Sequence, residues 1–457
     1  MAISITTNKI INITVNTAFK IKLAATGGTK PYTWSALTNL PNGVKLNGKG
    51  VLKGTASIKG TYKGIKIKVV DDTGASETKK FKIVVGSSTT TTTTTEAPSS
   101  SYGSLWMWGN NYYGELADNT NETRSSPVQT ISGGTNWKQV SCGFQHAAAI
   151  KSNNTLWCWG NNTGGQIGDN TIVPKSSPVQ TISGGTDWKQ VACGYNHTAA
   201  IKTDGTLWGW GYNNAGQLGD NTIVDKSSPV QTIAGGTNWK QVSCGGFHTA
   251  AIKTDGTLWL WGGNNGCIGD NTYVPKSSPV QTISYGTNWK QVSCGDSMTT
   301  AIKNDGTLWC WGDNSYGNLG DNTDVNRSSP VQTVCGGTNW KQVSSGYGAT
   351  GAIKTDGTLW CWGTNYYGEC GNGSTNSLSS PSQTTIGGTN WKQVSCGSGY
   401  TVATKNNGTI WGFGANYSGS LGNNTHIDSN VPVQSIAQNG NYIDIDAHGF
   451  TAAIRST

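Results

Sequence analysis

The sequence predicts an all-β protein made of a small β-sandwich, a threonine-rich linker and a seven-bladed β-propeller closed by its N- and C-terminal strands. Three observations predict this fold. An LWxWG-type phrase recurs seven times at a spacing of 51 residues, with one step of 50, and a period of this size is typical of propellers and solenoids. Short apolar runs between Gly, Asn and Asp turns indicate strands. The first and last copies each lack one strand of a shared hairpin.

Each repeat carries four strand-like phrases. TAAIK and TLWxWG are joined by NDG or TDG, which favours a tight hairpin, and WKQVSCG forms a third strand. We expect SPVQT to be a fourth strand that begins at its proline, where no ladder N–H is needed. The LWxWG phrases begin at Leu105, Leu156, Leu207, Leu258, Leu308, Leu359 and Ile410.

The two ends of the repeat region predict a closed ring. The chain enters the first copy at SLWMWG without a preceding TAAIK strand, and it ends on TAAIRST without a following LWxWG strand. Pairing of the two halves would complete one blade, whereas an open solenoid would leave exposed edges. The residues expected to close the ring are Leu105, Trp106, Trp108, Ala452, Ala453 and Ile454.

The repeat phrases GxNxxGQLGDNT, SSPVQT and WKQVSCGxxHTAAIKTDGTLWxWG resemble those of the RCC1 family of seven-bladed propellers. The resemblance covers residues 102–457 in seven copies. It implies the propeller fold but no single function, since the family includes exchange factors, photoreceptors and inhibitors.

Residues 1–86 form a separate unit in which apolar and polar residues alternate between turns, as in a β-sandwich. The motifs PYTW, LP, GT, GTY and DDTG resemble Ig-like domains of bacterial and phage surface proteins, and Trp34 is expected in the core. This unit has 14 lysines, no arginine and three acidic residues, a net charge of +11. Residues 87–101, a Thr/Ser-rich stretch, are expected to be an extended linker; they resemble spacers of phage virion proteins.

Composition limits the function. The chain has 457 residues and only 12% charged side chains; it contains no apolar run long enough for a membrane span and no segment typical of a signal peptide. Residues 102–457 carry 18 basic and 20 acidic residues, net −2, which argues against nucleic-acid binding by the propeller. No hydrolase, zinc-protease or nucleotide-binding motif is present. The sequence therefore predicts no enzyme, no catalytic residue and no cofactor.

Three sets of residues suggest chemistry but fit structural roles better. The eleven cysteines occupy slots that also accept Ser, Gly, Leu or Met and show no CxxC spacing, so we expect free buried thiols rather than disulfides or metal ligands. His146, His197 and His248 share one repeat slot and are expected to be hydrogen-bonded structural residues. The GDNT phrase lacks the calcium-loop pattern and fits Asx-type turns.

The candidate binding residues are tyrosines in the loop that follows each LWxWG phrase. The strands are nearly identical between copies, whereas this loop varies, as does the short loop after VSCG. Tyrosine among small polar residues suits contact with glycans or proteins, although tyrosines that merely cover blade edges would give the same pattern. The candidates are Tyr112, Tyr113, Tyr212, Tyr316, Tyr366, Tyr367 and Tyr417.

These features predict an anchored recognition protein, foremost a bacteriophage virion component such as a tail or baseplate fibre or a capsid decoration. Its basic Ig-like unit would dock on other virion proteins, and its propeller would bind a host surface glycan or protein. We expect synthesis in the host cytoplasm and release by lysis. A bacterial adhesin or secreted inhibitor is the alternative, and a guanine-nucleotide exchange factor is third.

Overall fold

The structure, a computed structural model, describes residues 3–5, 10–14, 18–58, 60–86, 102–283, 286–335, 337–437 and 440–456. Every regular element within these ranges is a β-strand, and no helix among them is long and apolar enough to cross a membrane. Contacts divide the chain into two compact units, Met1–Glu96 and Ala97–Thr457. The linker predicted at 87–101 lies outside the described residues.

The N-terminal unit is a β-sandwich, as the sequence predicts. One sheet has the order β2-β9-β8-β5, the other β3-β7-β6, and β1 pairs with β4. Trp34 is only 5% exposed and packs in one core with Leu52, Ile67 and Ile83, which confirms its expected core position. The strands are β1 Ser4–Ile5, β2 Ile10–Thr14, β3 Ala18–Lys22, β4 Ala25–Thr26, β5 Thr33–Ala36, β6 Val44–Leu46, β7 Val51–Thr55, β8 Gly60–Val70 and β9 Ser76–Gly86.

The second unit is a propeller whose described residues form seven blades of four antiparallel strands. In each blade the WKQV strand is innermost, followed outward by TAAIK, LWxWG and SPVQ. Blade 1 consists of β36 Tyr442–Ala447, β37 Phe450–Ser456, β10 Gly103–Gly109 and β11 Arg124–Gln129. Blade 2 consists of β12 Trp137–Cys142, β13 His146–Lys151, β14 Leu156–Gly160 and β15 Lys175–Gln180.

The other five blades repeat this order. Blade 3 is β16 Trp188–Cys193, β17 His197–Lys202, β18 Leu207–Gly211 and β19 Lys226–Gln231; blade 4 is β20 Trp239–Cys244, β21 His248–Lys253, β22 Leu258–Gly262 and β23 Lys276–Gln281. Blade 5 is β24 Trp289–Cys294, β25 Met298–Lys303, β26 Leu308–Gly312 and β27 Arg327–Gln332. Blade 6 is β28 Trp340–Ser345, β29 Ala349–Lys354, β30 Leu359–Gly363 and β31 Leu378–Gln383; blade 7 is β32 Trp391–Cys396, β33 Tyr400–Lys405, β34 Ile410–Gly414 and β35 Ser429–Gln434.

The two ends of the propeller pair as predicted. Strand β10 runs antiparallel to β37 over seven residue pairs, and Leu105 lies opposite Ile454, Trp106 opposite Ala453 and Met107 opposite Ala452. Trp108 and Leu105 are fully buried there. The shared sheet closes the ring and leaves neither terminal strand unpaired.

The outermost strand corrects one expectation. We expected it to begin at proline, but each of these strands starts three residues earlier, as Arg124 does before Pro127. The ladder skips a residue between Met107 and Gly109 of the neighbouring strand. Proline is therefore tolerated inside the strand because it sits on the outer edge of the blade beside a bulge.

Neighbouring blades are joined by a repeated tryptophan. In six of the seven copies the second tryptophan of the LWxWG phrase is buried and reaches into the loop of the preceding blade, and the seventh copy, IWGFG, has the buried Phe413 instead. Trp210 Nε1 donates to the carbonyl oxygen of Gln166 at 2.9 Å, and Trp261 Nε1 donates to that of Gln217 at 2.9 Å. Buried aromatic area thus stabilises each blade junction, and a satisfied indole N–H adds to six of the seven.

Candidate binding cleft

Both variable loop sets lie on one face of the propeller. The loop after VSCG joins the first and second strands of a blade, and the loop after LWxWG joins the third and fourth, so antiparallel order places both at the same end of the blade. The sequence left open which of two rims binds, treating the loop sets as separate candidates. The structure shows that they form a single surface.

An asparagine organises each LWxWG loop, and the sequence reasoning missed it. In blade 2, Asn162 Oδ1 accepts from the backbone N–H of Ile167 at 2.9 Å, while its Nδ2 donates to Asp169 and to the carbonyl oxygens of Thr171 and Val173. The equivalent residues are Asn111, Asn213, Asn264, Asn314, Asn365 and Asn416, all at most 5% exposed. Their presence in all seven copies was a visible signal. Because this buried asparagine fixes the backbone of the loop, the other side chains of the loop can differ between copies.

The loops of blades 4 to 7 surround a cleft of about 640 Å³. Its lining is rich in tyrosine and also contains three carboxylates and three asparagines. The tyrosines are Tyr273, Tyr316, Tyr347, Tyr366, Tyr367 and Tyr417, and the carboxylates are Asp296, Asp313 and Glu369. Asn265, from the loop that is one residue shorter than its counterparts, lies at the blade 4 side.

Four of the seven predicted tyrosines converge on this cleft. Tyr316, Tyr366, Tyr367 and Tyr417 are between 45% and 72% exposed, and the rings of Tyr316 and Tyr366 meet edge to face with centroids 5.5 Å apart. These tyrosines present ring surface to solvent rather than filling a core. Their binding role stays a prediction.

The other three candidates lie elsewhere on the same face. Tyr112 and Tyr113 of blade 1 pair with each other edge to face at 4.8 Å. Tyr212 is half-buried, and its ring lies against Gly164, where an added Cβ would come within 2.3 Å of it. Tyr212 thus fits the blade-edge alternative.

The sequence reasoning missed Tyr273 and Tyr347. Tyr273 occupies the slot that holds Ile172 and Ile223 in the GDNTIV phrases of neighbouring copies. Tyr347 lies in the short loop after VSSG. Tyr273 is a single-copy departure from the GDNTIV phrase, whereas the slot of Tyr347 also holds Phe144 and Tyr195 in other copies.

Burial raises the pKa of two carboxyl groups in the cleft. Desolvation raises the pKa of Asp296, opposed by hydrogen bonds from Tyr195 and Ser297, and nearby Asp313 raises it further. Desolvation also raises the pKa of Glu369, which is 2% exposed. Two of the three carboxylates therefore lie where negative charge is poorly solvated.

The three repeat histidines are structural, as predicted. Thr198 Oγ1 donates to the carbonyl oxygen of Gln166 at 2.8 Å, so its single proton is used. His146 Nε2 lies 2.9 Å from the same hydroxyl and must therefore be the donor. His197 bonds Thr249 and His248 bonds Thr299 at the same distance. Burial lowers the pKa of His146 and His197 to about 3, which keeps both neutral.

Ten of the eleven cysteines are buried, as the sequence predicts, and the GDNT phrases form the predicted turns. All eleven cysteines are free; ten are buried and Cys335 is half-buried. In the GDNT phrase, Asp169 Oδ1 accepts from the Thr171 N–H at 3.0 Å and from the Thr171 hydroxyl at 2.7 Å, which is Asx-turn chemistry. Among the described residues, no group of three or more His, Cys, Asp and Glu is arranged to hold a metal ion.

Comparison with known proteins agrees with this architecture. A family model described as an RCC1-like domain matches residues 104–454, and an Ig-domain model matches residues 2–86. The ultraviolet-B receptor UVR8 of Arabidopsis thaliana is 32% identical over 346 residues, which cover 74% of this chain and 66% of UVR8. The human probable E3 ubiquitin-protein ligase HERC6 is 36% identical over 132 residues, 28% of this chain and 13% of HERC6. The chain thus spans less than two thirds of either relative.

Solved structures share the propeller fold. Human WBSCR16 superimposes with a TM-score of 0.69 at 20% identity, covering 78% of this chain and 99% of that one. Prp20p of Saccharomyces cerevisiae superimposes with a TM-score of 0.68 at 18% identity, covering 78% and 92%. At these identities the likeness concerns the fold. The match over residues 104–454 establishes that this chain belongs to the RCC1-like domain family.

Proposed function

We propose that this protein is a non-enzymatic recognition component of a bacteriophage particle, and that its propeller binds a partner or host surface through the loop face of blades 4 to 7. The observation that carries the recognition role is the gathering of six tyrosines in one cleft. Exposed tyrosines offer large contact area at low conformational-entropy cost. RCC1-like propellers act in protein interactions; the work on yeast Prp20p, for example, concerns its binding to Gsp1p and histones.

The Ig-like unit is suited to attachment. Lys20 lies opposite Lys53, which in turn lies opposite Lys45, and all three are exposed. Like charges directly opposite one another are destabilising, so this row favours an acidic partner surface. A virion protein with such a surface is the partner we propose for it.

Virion placement is supported by the combination of a separate display domain with an Ig-like unit that resembles those of bacterial and phage surface proteins. The test is quantitative mass spectrometry of particles purified on a density gradient from cultures that produce this chain. We expect it to co-sediment with the major capsid protein at a constant ratio across the gradient. Recovery with the bacterial envelope instead would overturn the virion placement and favour the adhesin alternative.

The recognition role has its own test. Fluorescently labelled full-length chain should bind the surface of the bacterial cells that these particles infect, and the Tyr366→Ala and Tyr417→Ala variants should bind at least tenfold less. Tyr112→Ala removes an equally exposed tyrosine outside the cleft and should bind like the parent chain. Equal binding by all three variants would show that the cleft is not the recognition surface.

A further inference from the structure

The cleft carries negative charge that no basic side chain offsets. Its lining includes Asp296, Asp313 and Glu369, and the described residues that form it include no Lys, Arg or His. The turn aspartates of the same loops are treated differently. Asp270 pairs with Lys276 at 3.2 Å, and Asp321 pairs with Arg327 at 2.9 Å. The repeat thus supplies cations to its turn carboxylates but not to those of the cleft.

Hydrogen bonding identifies two acceptor atoms in the cleft that have no donor among the described residues. Asn318, 2% exposed, donates from Nδ2 to the Asp313 carboxylate at 3.2 Å. A carboxylate accepts but does not donate, so this contact fixes the amide orientation and leaves Oδ1 as an acceptor. Asn318 Oδ1 and Asp296 Oδ1 are both buried without a hydrogen-bond partner among the described residues. These acceptors add to the negative potential of the cleft floor.

Tyrosine rings form the cleft walls. Tyr366 and Tyr367 are 57% and 49% exposed and come from blade 6, and Tyr417, 72% exposed, comes from blade 7. The face of an aromatic ring attracts a cation through its quadrupole, more strongly when water is displaced. Aromatic walls above a floor of carboxylates and unpaired acceptors are complementary to a group that is both cationic and rich in N–H donors.

We propose that this cleft binds a lysine or arginine side chain presented by a protein partner. This inference rests on the proposed recognition function and specifies its ligand class. A neutral sugar can stack on tyrosine and donate hydroxyl protons to the carboxylates, but it supplies no positive charge to balance them. Residues 102–457 carry 18 basic and 20 acidic side chains, so net charge gives a cationic ligand little attraction to the propeller, and binding relies on the local carboxylates.

The test is fluorescence anisotropy with the full-length chain and two labelled peptides of one Gly/Ser-rich sequence. One peptide has three arginines, and the other has the neutral isostere citrulline at the same positions. We expect the arginine peptide to bind at least tenfold more tightly and to weaken as salt is raised. Asp313→Asn, Tyr366→Ala and Tyr417→Ala should each weaken its binding at least tenfold. Glu122→Gln and Tyr112→Ala, at exposed positions outside the cleft, should leave it unchanged.

Three outcomes would overturn the proposal: equal binding of the arginine and citrulline peptides, unchanged affinity in all three cleft variants, or competition by maltohexaose at the cleft without arginine-peptide binding. The last would identify a neutral-sugar site. Tryptophan fluorescence confirms that each variant is folded, and the two tyrosine variants alter only exposed side chains. Because the assay contains no particles, its failure leaves virion attachment intact, and absence from particles leaves the peptide result intact.

Discussion

The glycine of each GDNT phrase is a residue whose identity follows from two physical constraints. Gly219 has φ +69°, a left-handed conformation that costs an L-residue about 1–2 kcal/mol. A Cβ at this position would lie 2.7 Å from Nε1 of Trp261, the tryptophan that joins blade 4 to blade 3. The first copy has Ala117 in this slot, at φ 54°, packed in one cluster with Trp159.

Gly219→Ala and Ala117→Gly should change the stability of the protein in opposite directions. Gly219→Ala should lower stability by about 1–2 kcal/mol for the backbone and a further ~1–3 kcal/mol for overpacking against Trp261. Ala117→Gly should relieve backbone strain, less the entropy cost of glycine, for a net gain of up to about 1 kcal/mol. Denaturation midpoints followed by tryptophan fluorescence measure both. Destabilisation by Ala117→Gly would contradict the strain argument.

Cysteine accessibility gives a second prediction at this scale. Ten thiols are buried and Cys335 is half-buried. Burial raises the pKa of Cys267 and Cys294 to about 12. Because the thiolate is the reactive form, these buried cysteines should react slowly. Iodoacetamide should therefore modify Cys335 alone in the folded chain and all eleven cysteines after denaturation. Peptide mapping by mass spectrometry distinguishes the two states, and Cys335→Ser should abolish native labelling. Rapid native labelling of several repeat-slot cysteines would show that the blades open readily.

At the scale of the strand, the inner strands hold the blades together through side-chain bridges. Gln139 Nε2 donates to the carbonyl oxygen of Val191 at 3.0 Å, and its Oε1 accepts from the Val191 N–H at 3.1 Å. The same pair of bonds recurs at four further junctions, through Gln190, Gln241, Gln291 and Gln342. Blade 1 breaks the pattern, because its inner strand reads YIDIDA and places Asp444 in the glutamine slot.

Asp444 completes only part of the bridge. Its Oδ2 accepts from the Val140 N–H at 3.0 Å, but a carboxylate cannot donate to the facing carbonyl. Gln393 donates from Nε2 to Asp444 Oδ1 at 3.2 Å, and its own Oε1 is buried without a partner among the described residues. Desolvation raises the pKa of Asp444 to about 6, with a further contribution from Asp446. The contacts of blade 1 with blades 2 and 7 are thus weakened when Asp444 ionises.

Asp444→Gln should stabilise the propeller at neutral pH. The folded-state pKa is above the unfolded value of about 3.9, so the protonated carboxyl contributes stability below about pH 4 that is lost as pH rises through about 6. Removing this group should raise stability at pH 7 by up to about 3 kcal/mol and by much less at pH 4. The difference between variant and parent at each pH cancels the opposite contribution of the buried histidines.

The mirror substitution is the control for that prediction. Gln241→Asp, in the inner strand of blade 4, should install the same loss of stability with rising pH. Denaturation midpoints at pH 4, 5, 6 and 7 follow both variants. A pH-independent difference for Asp444→Gln would show that its carboxyl group does not ionise in the folded chain.

The strands show most clearly which features can be predicted from the sequence. The repeated phrases predict the strands, because their apolar spacing and turn residues act locally. The asparagine hub and Asp444 were also visible, the first as an unvarying position and the second as a departure, but their meaning depends on contacts with other strands. The proline strand began earlier than predicted because bulge geometry is set by the neighbouring strand.

At the scale of the whole molecule, the cleft exists because the ring fixes the order and tilt of its blades. Its lining comes from four consecutive blades, between Asn265 and Tyr417, and repeat spacing alone cannot show which loops lean together. The sequence identified four of its six tyrosines but not the floor, because Asp296 and Asn318 matter through their burial and hydrogen bonding.

Closure of the ring can be tested by covalent capture. Ser104 lies directly opposite Arg455 on β10 and β37, and opposite residues of antiparallel strands have Cα separations of about 4.5–5.5 Å, within the range of disulfides. A chain with Ser104→Cys and Arg455→Cys on a Cys335→Ser background should form a cross-link under mild oxidation, since the remaining thiols are buried. The bond closes nearly the whole propeller into one covalent loop. The disulfide should raise stability by about 2–5 kcal/mol relative to the reduced form. This gain would appear as a higher denaturation midpoint, and the cross-link itself as faster migration on non-reducing gels.

The Ser104→Cys single variant on the same background should show neither effect. If the double variant stays reduced where a solvent-accessible cysteine pair oxidises, the terminal strands are not held side by side, and the cleft loses the closed ring that positions its four blades.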